Sequence, residues 1–307
     1  MRIMVTGGAG FIGSHVVDAY IDAGHDVFVV DDLSTGKRAN VHPQARLYAI
    51  DITDDAELND IISQERPEVI SHQAAKANVR ESMIKPRLYA QVNVIGSLNL
   101  LQAARRHGVR KIVYASTGGA VYGEPQYLPA DEGHPIDPLD PYGASKHHVE
   151  HYLVIYRKHF GIDYTILRYA NIYGPRQDPL GEAGVIAIWT ARMLKGEPAV
   201  VHGSGEQERD FVYVGDIARA NVLALDRGDG DIVNLGSGIG TTINQVFERL
   251  KSSTGYTGEP VYEDAKQGEV FRIYLTNDRA RTVLGWEPRV SLQEGLDQTV
   301  AHFREQE

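Results

Sequence analysis

The sequence predicts an α/β fold: a doubly wound parallel sheet flanked by helices, with a smaller α/β domain toward the carboxyl end. Three observations carry this. From residue 2 to about residue 170, short β-branched runs alternate with amphipathic stretches, and such alternation is joined by right-handed crossovers into a parallel sheet. The first strand runs straight into glycines that open a helix. Beyond Gly174 the punctuation changes, with Gly- and Pro-rich loops at Gly174–Gly184 and His202–Glu208 between shorter elements. Residues 1–172, rejoined by about 211–240, are expected to form the larger domain, and 173–210 with 241–307 the smaller.

Taken in order, strands are expected at Arg2–Thr6, Asp26–Val30, Arg46–Ile50, Glu68–His72, Lys111–Ala115 and Asp163–Arg168, each a short apolar or β-branched run. Helices are expected at Phe11–Ala23, at Pro86–His107, where Leu88, Val92, Ile95 and Leu98 recur at helical spacing, and at Tyr142–Phe160. Later helices fall near Gly184–Lys195, Asp216–Asp226, Ile243–Ser252 and Leu292–Arg304. The connection Gly123–Pro141 holds five prolines and is long for a compact domain, which marks it as a site-forming loop.

Composition removes several classes of function. With 307 residues the chain can build a core without staples, and the absence of cysteine excludes disulfides, thiolate catalysis and Cys-ligated metals. A formal net charge of -10 argues against nucleic acid, whose binding needs clustered Lys and Arg. The amino terminus lacks the apolar length of a secretory signal, and no apolar run is long enough to span a bilayer. A soluble, cytoplasmic protein is expected.

The first chemistry-bearing motif is Thr6-Gly7-Gly8-Ala9-Gly10-Phe11-Ile12-Gly13, which satisfies GxxGxxG through Gly7, Gly10 and Gly13 and GxGxxG through Gly8, Gly10 and Gly13. The first glycines permit a tight strand-to-helix turn, Gly10 lets backbone approach a pyrophosphate, and Gly13 lets the helix pack on the strand. Phosphates then face the free N–H groups of the helix start, around Phe11 and Ile12. Asp31 and Asp32 stand 18 and 19 residues past Gly13, at the tip of the second strand. An acid there accepts hydrogen bonds from a ribose hydroxyl and repels a 2′-phosphate, so NAD is the expected cofactor, bound on a Rossmann-type sheet. Asp51 and Ile52, after the third strand, either flank the adenine or cap the helix ahead of Asp54. Gly236, Gly238 and Gly240 mimic the motif, but without a glycine at 243 or an acid-tipped strand they read as a loop.

Tyr142-Gly-Ala-Ser-Lys146 puts a phenol and an ammonium one helical turn apart. Tyr262 and Lys266 share the spacing, so placement decides. Pro141 starts a helix just before Tyr142, and the fifth strand ends nearby with Ser116, Thr117 and Gly118. A neighbouring ammonium and the positive nicotinamide ring both favour phenolate, which makes Tyr142 a general base. A hydroxyl from Thr117 or Ser116 would share its proton, unless Thr117 merely caps the strand end.

A glycine turn followed by a mid-chain YxxxK resembles the extended short-chain dehydrogenase/reductase family, along the whole chain. Three further runs, Tyr114–Gly123 (YASTGGAVYG), Leu167–Gln177 (LRYANIYGPRQ) and Arg209–Asp216 (RDFVYVGD), resemble its nucleotide-sugar epimerases. The resemblance implies epimerisation at C4 of a UDP-sugar, interconverting UDP-glucose and UDP-galactose through a 4-keto intermediate, with NAD unchanged overall. It implies Tyr142 as base, Lys146 on the nicotinamide ribose, and Thr117 as proton-sharing hydroxyl. Ala74, Ala75, Asn93 and Tyr169 join the cofactor contacts. Asn171 and Arg209 contact substrate, Arg209 gripping the diphosphate with its planar fork; a salt bridge to Asp210 or Asp216 is the alternative for this arginine.

Three departures are expected to matter. The family often carries serine in the run Ser116–Gly119; Lys266 and Glu269 stand where an arginine before Gly-Asp often grips the nucleotide; and the wall that limits N-acetyl sugars falls near Ile273. A 4,6-dehydratase needs an Asp-Glu pair where this chain has Gly118 and Gly119, and decarboxylation likewise lacks its acid. A nucleotide-sugar dehydrogenase and epimerases of UDP-N-acetylhexosamines or UDP-uronates stay open, whereas an NAD-sensing regulator would lose the Tyr-Lys pair. His147 and His151, one turn apart without a third ligand, read as a helix edge facing solvent or a partner, and no metal is expected. The resemblance implies a homodimer built on this helix and the one before it.

Overall fold

The computed structural model describes residues 1–180, 184–265 and 270–306. The amino-terminal half alternates as expected: β1 (Arg2–Thr6), α1 (Phe11–Asp22), β2 (Asp26–Val30), β3 (Arg46–Tyr48), α2 (Asp55–Glu65), β4 (Val69–His72), α3 (Val79–Ile84), α4 (Pro86–Tyr89), α5 (Ser97–His107), β5 (Lys111–Thr117), α6 (Gly118–Val121), α7 (Pro141–Phe160) and β6 (Asp163–Tyr169). Shorter elements follow: β7 (Asn171–Tyr173), α8 (Val185–Leu194), β8 (Val200–His202), β9 (Glu208–Arg209), β10 (Phe211–Tyr213), α9 (Val214–Ala224) and β11 (Asp231–Leu235). The chain ends with β12 (Thr241–Thr242), α10 (Ile243–Thr254), β13 (Val261–Glu263), β14 (Arg272–Ile273) and α11 (Leu292–Arg304).

Seven parallel strands form one sheet in the order β11-β6-β5-β4-β1-β2-β3. The order reverses between β1 and β4, and in an open α/β sheet the crevice beyond the carboxyl ends at such a reversal is where ligands bind. Thr6 and His72 are paired there. Strands buried on both faces explain the near-continuous apolar runs of the sequence. One face packs Val16, Val17 and Tyr20 of α1 with Ile217, Ala220 and Ala224 of α9. The other packs Leu58, Ile61 and Ile62 of α2 with Leu100 and Leu101 of α5 and Val149 and Leu153 of α7.

A separate core of Trp189, Phe247, Leu250, Leu296 and Val300 unites α8, α10 and α11. Ala280, Leu284 and Trp286, from the stretch assigned to the smaller domain, pack instead into the first face of the large sheet. Trp286 Nε1 also donates to the carbonyl of Asp216 at 2.8 Å.

The expected single helix at Pro86–His107 carries a π-helical turn, Ala90–Gly96, between α4 and α5. Gly96 sits so close to Ile52 that a Cβ would lie 2.7 Å from Ile52 Cγ1. Leu88 and Ile95, part of the stripe that predicted this helix, remain exposed on its outer side. Strand ends differ by one or two residues from expectation, β5 running on through Ser116 and Thr117.

Candidate functional site

The glycine turn is shaped by contacts that exclude side chains. Gly7 has φ +69°, and a Cβ there would lie 2.7 Å from the Ala74 nitrogen; one at Gly13 would lie 2.1 Å from the Gly7 oxygen. The loop after β4 therefore lies against the turn, tied by Ala74 N donating to Thr6 Oγ1 at 3.2 Å. Gly10 precedes α1 with no side-chain cap, and the first turn of α1 holds no acid. The N–H groups at Phe11, Ile12 and Gly13 thus meet the crevice at the positive end of the helix. These residues fit a pyrophosphate.

The two acids after β2 diverge. Asp31 is buried; its Oδ2 accepts from Ala9 N at 2.9 Å and its Oδ1 from Leu33 N at 2.8 Å, and burial pushes its carboxyl up. Asp32 is exposed and accepts from the Ser34 nitrogen and hydroxyl. Asp51 accepts from Thr53 N, while the cap of α2 is Asp54, which accepts from Glu57 N. Ile52 is buried. Ala75 is half-buried beside Ala74.

Asn93, in the π-helical turn, is buried and holds the backbone of Lys76 from both sides, accepting its N–H at 2.8 Å and donating to its carbonyl at 3.0 Å. It also donates to Ser145 Oγ, which in turn donates to the Tyr142 carbonyl. Sequence reasoning missed the chain behind it. Ser97 donates to the Asn93 carbonyl, so it accepts from His72 Nε2; Thr6 Oγ1, already accepting from Ala74, donates to His72 Nδ1. Burial, with the Lys146 charge, lowers His72 to about 3, so the ring is neutral.

The other half of the site depends on one close approach. A Cβ at Gly143 would lie 2.7 Å from the Ala120 oxygen, so only glycine lets the start of α7 sit against α6. Asp140 caps α7 by accepting from Gly143 N at 2.8 Å. Tyr142 thereby stands in the first turn of α7, which packs against α6 just past the end of β5, and Lys146 lies one turn on, buried, its Nζ 4.4 Å above the ring of Tyr114. Burial pulls the Lys146 ammonium down to about 7, against the opposing charge of Glu150.

Adjacent strand residues point to opposite faces. Ser116 donates to Glu150 Oε1 at 2.6 Å, inside a buried network. Thr117, which makes no capping bond to α6, lies on the other side: its Oγ1 and the Oδ1 of Asn171 are 3.9 and 3.8 Å from where a Cβ of Gly119 would stand. Gly118 differs, since a Cβ there would lie 2.3 Å from Leu275 Cδ1. Tyr169 donates to Gln73 Oε1 and accepts from Asn221 Nδ2, and burial pushes its hydroxyl up to about 12.

On the smaller lobe, Arg209 donates to the carbonyls of Glu208 and Phe271. The carboxylates offered as its alternative partners serve elsewhere: Asp210 accepts from Ser237, Gly238 and Leu275, and Asp216 from Arg219, Arg289 and Val290. Ile273 is buried against Val121, Tyr122 and Leu275. Lys266 and Glu269 lie outside the described residues; Tyr262 is exposed and donates to Asn244. His147 and His151 face each other, their Nε2 atoms 3.1 Å apart.

A Rossmann sheet with this turn, and a tyrosine-lysine helix start beside the end of β5, define the class. Over residues 3–236 the chain matches the model of the NAD dependent epimerase/dehydratase family, and it belongs to that family. The UDP-glucose 4-epimerase of Mycolicibacterium smegmatis is 42% identical to it over 310 residues, 99% of each chain. The crystal structure of a UDP-glucose 4-epimerase from Thermotoga maritima with UDP-glucose superposes with a TM-score of 0.98 at 50% identity, covering 100% of this chain and 99% of that one. The Thermus thermophilus UDP-glucose 4-epimerase complex with NAD gives 0.94 at 44% identity, covering 99% of both. Among the described residues, no helix is long and apolar enough to cross a membrane.

Proposed function

We propose that the chain interconverts UDP-glucose and UDP-galactose by inverting C4 of the sugar, with NAD as a resident cofactor. The observation that supports this is the close approach of Gly143 to the Ala120 oxygen, which brings the helix start bearing Tyr142 and Lys146 against α6 just past the end of β5, while Thr117 Oγ1 and Asn171 Oδ1 lie 3.9 and 3.8 Å from where a Cβ of Gly119 would stand. Tyr142 takes the proton of the sugar 4-hydroxyl as the C4 hydride leaves and gives it back when the hydride returns to the opposite face. The Lys146 ammonium favours the phenolate that this requires. Thr117 shares the proton, because the Ser116 hydroxyl is committed to Glu150. Bound NAD supplies the hydride acceptor and donor; Asp31 receives a ribose hydroxyl and the helix start at Gly10–Gly13 the pyrophosphate. Asp51, Ile52, Ala74, Ala75, Asn93 and Tyr169 border the cofactor, while Asn171, Arg209, Lys266 and Glu269 hold the sugar nucleotide. No acid stands at Gly118 or Gly119 to drive elimination.

Purified protein given UDP-galactose should yield UDP-glucose without added NAD and without lasting NADH absorbance. Stoichiometric NADH would mean a dehydrogenase instead. Exposed apolar side chains on adjacent helices, Leu88, Ile95, Val154 and Ile155, favour a homodimer packed through them. A single-copy mass in solution scattering would contradict that arrangement.

A further inference from the structure

On the proposed reading of Tyr142 and Lys146, we infer that Glu150 is a positioning residue of the reaction, whose buried carboxylate keeps Lys146 in its ammonium form. Tyr142, Lys146 and Glu150 follow one another at successive helical turns along one stripe of α7. Lys146 is only 3% exposed, and a buried ammonium either meets an anion or loses its proton. The groups that bear on it are the Tyr114 ring on β5, the neutral His72 on β4 and Glu150 on α7. Glu150 is the anion of this set.

The carboxylate is itself fixed on all sides. Arg168 of β6 grips it with Nε at 3.0 Å and Nη2 at 2.6 Å, Ser116 of β5 donates to it, and His147 Nδ1 lies 3.2 Å from Oε2, with His151 beyond. Arg168 is steadied by the Tyr122 hydroxyl at 2.9 Å. Because Ser116 precedes Thr117, the same carboxylate holds the strand end that presents Thr117. Neither the Tyr-Lys spacing nor the glycine turn required an acid here.

The test is kcat against pH for the NAD-loaded enzyme. On this view kcat falls on the alkaline side as Lys146 loses its proton. Glu150→Gln keeps the shape and removes the charge, so the alkaline limb should move to lower pH by about one unit, with KM little changed. Arg168→Gln leaves the carboxylate without its neutralising partner, so the limb should move to higher pH. A pair that served only the fold would lower kcat alike at every pH and move neither limb. Should Glu150→Gln fail to fold, Glu150→Gln combined with Arg168→Met strands no buried charge and should still lower the limb. Limbs at the wild-type position in the variants that fold overturn the inference. Tyr142→Phe separates it from the reading it rests on: a dead Tyr142→Phe with stationary limbs sinks only the role of Glu150, whereas an active one sinks the base assignment.

Discussion

Asp31 and Asp210 are both buried aspartates, one in each half of the molecule, and they do opposite things with the same group. Asp31 accepts two backbone N–H bonds, from Ala9 and Leu33. Asp210 accepts from the Ser237 nitrogen and hydroxyl, from Gly238 N and from Leu275 N. A carboxylate offers about four lone-pair sites, so Asp31 keeps acceptor capacity beside the crevice while Asp210 keeps none. The Asp210 carbonyl also accepts from Asn171 N, and Arg209 precedes it, so this saturated carboxylate fastens Arg209 and Asn171 to the loops after β11 and β14. Spare capacity, rather than burial or charge, is what fits Asp31 for the ligand role proposed for it and Asp210 for the frame.

The largest effect should come from breaking the saturated site. Asp210→Ala strands the Ser237, Gly238 and Leu275 donors in a buried place, and should lower stability by about 3–5 kcal/mol in urea unfolding. Substrate affinity should fail before NAD content does, because Asn171 and Arg209 lose their anchor. A loss under about 1 kcal/mol would show that the four bonds do not bear the load assigned to them.

Glu150 sharpens the comparison, since acid acts on it and on Asp210 in opposite senses. Against burial, the Arg168, His147 and Ser116 bonds hold Glu150 at about 2, below its ordinary 4.5. Its stabilisation is therefore complete above about pH 4.5 and is lost as pH falls toward 2. His15, lowered to about 4 by burial, stabilises the fold above about pH 6.5 and loses that contribution between 6.5 and 4. Each is worth about 3 kcal/mol. Burial raises Asp31 and Asp210 instead, so their protonation does not oppose the fold. With His72, lowered to about 3, titrating alongside His15, melting temperature should decline from about pH 6.5, most steeply near pH 4–4.5 where all three groups titrate, and Glu150→Gln should flatten the decline below 4.5 while leaving the part above it. A profile of unaltered shape in that variant would place acid sensitivity elsewhere.

What could be read from the sequence followed the same divide. Gly7, Gly10, Gly13 and Asp31 belong to one strand-turn-helix-strand unit, so local spacing sufficed. Tyr142 and Lys146 needed only a helix start, which Pro141 supplies. Asn93 sits in a π-helical turn that periodicity cannot distinguish from α-helix, and its bonds reach Lys76 and Ser145 from far along the chain. Arg168 lay inside a motif read for its neighbours Tyr169 and Asn171; its partner Glu150 is 18 residues away, on another element. In the sequence Asp210 suggests only a salt bridge to Arg209, because its four donors come from segments that folding alone brings together. Ser116 and Thr117 were interchangeable until the strand's two faces were known.

The smallest effect should come from the unsaturated site, where the change falls on the ligand. Asp31→Ala removes an acceptor for a ribose hydroxyl, a charge-assisted bond worth about 1.5–3 kcal/mol, or roughly tenfold to a hundredfold in NAD affinity by calorimetry. Discrimination against NADP should narrow as well, since the repelling charge is gone. The fold should suffer less than in Asp210→Ala, because two N–H groups lose a partner instead of four donors. Asp32 is the control: it too accepts two bonds, both from Ser34, but it is exposed, so it differs from Asp31 in burial and not in spare capacity. Were Asp32→Ala to lose NAD while Asp31→Ala kept it, the buried aspartate would not be the one that meets the cofactor, and the contrast with Asp210 would lose its functional half.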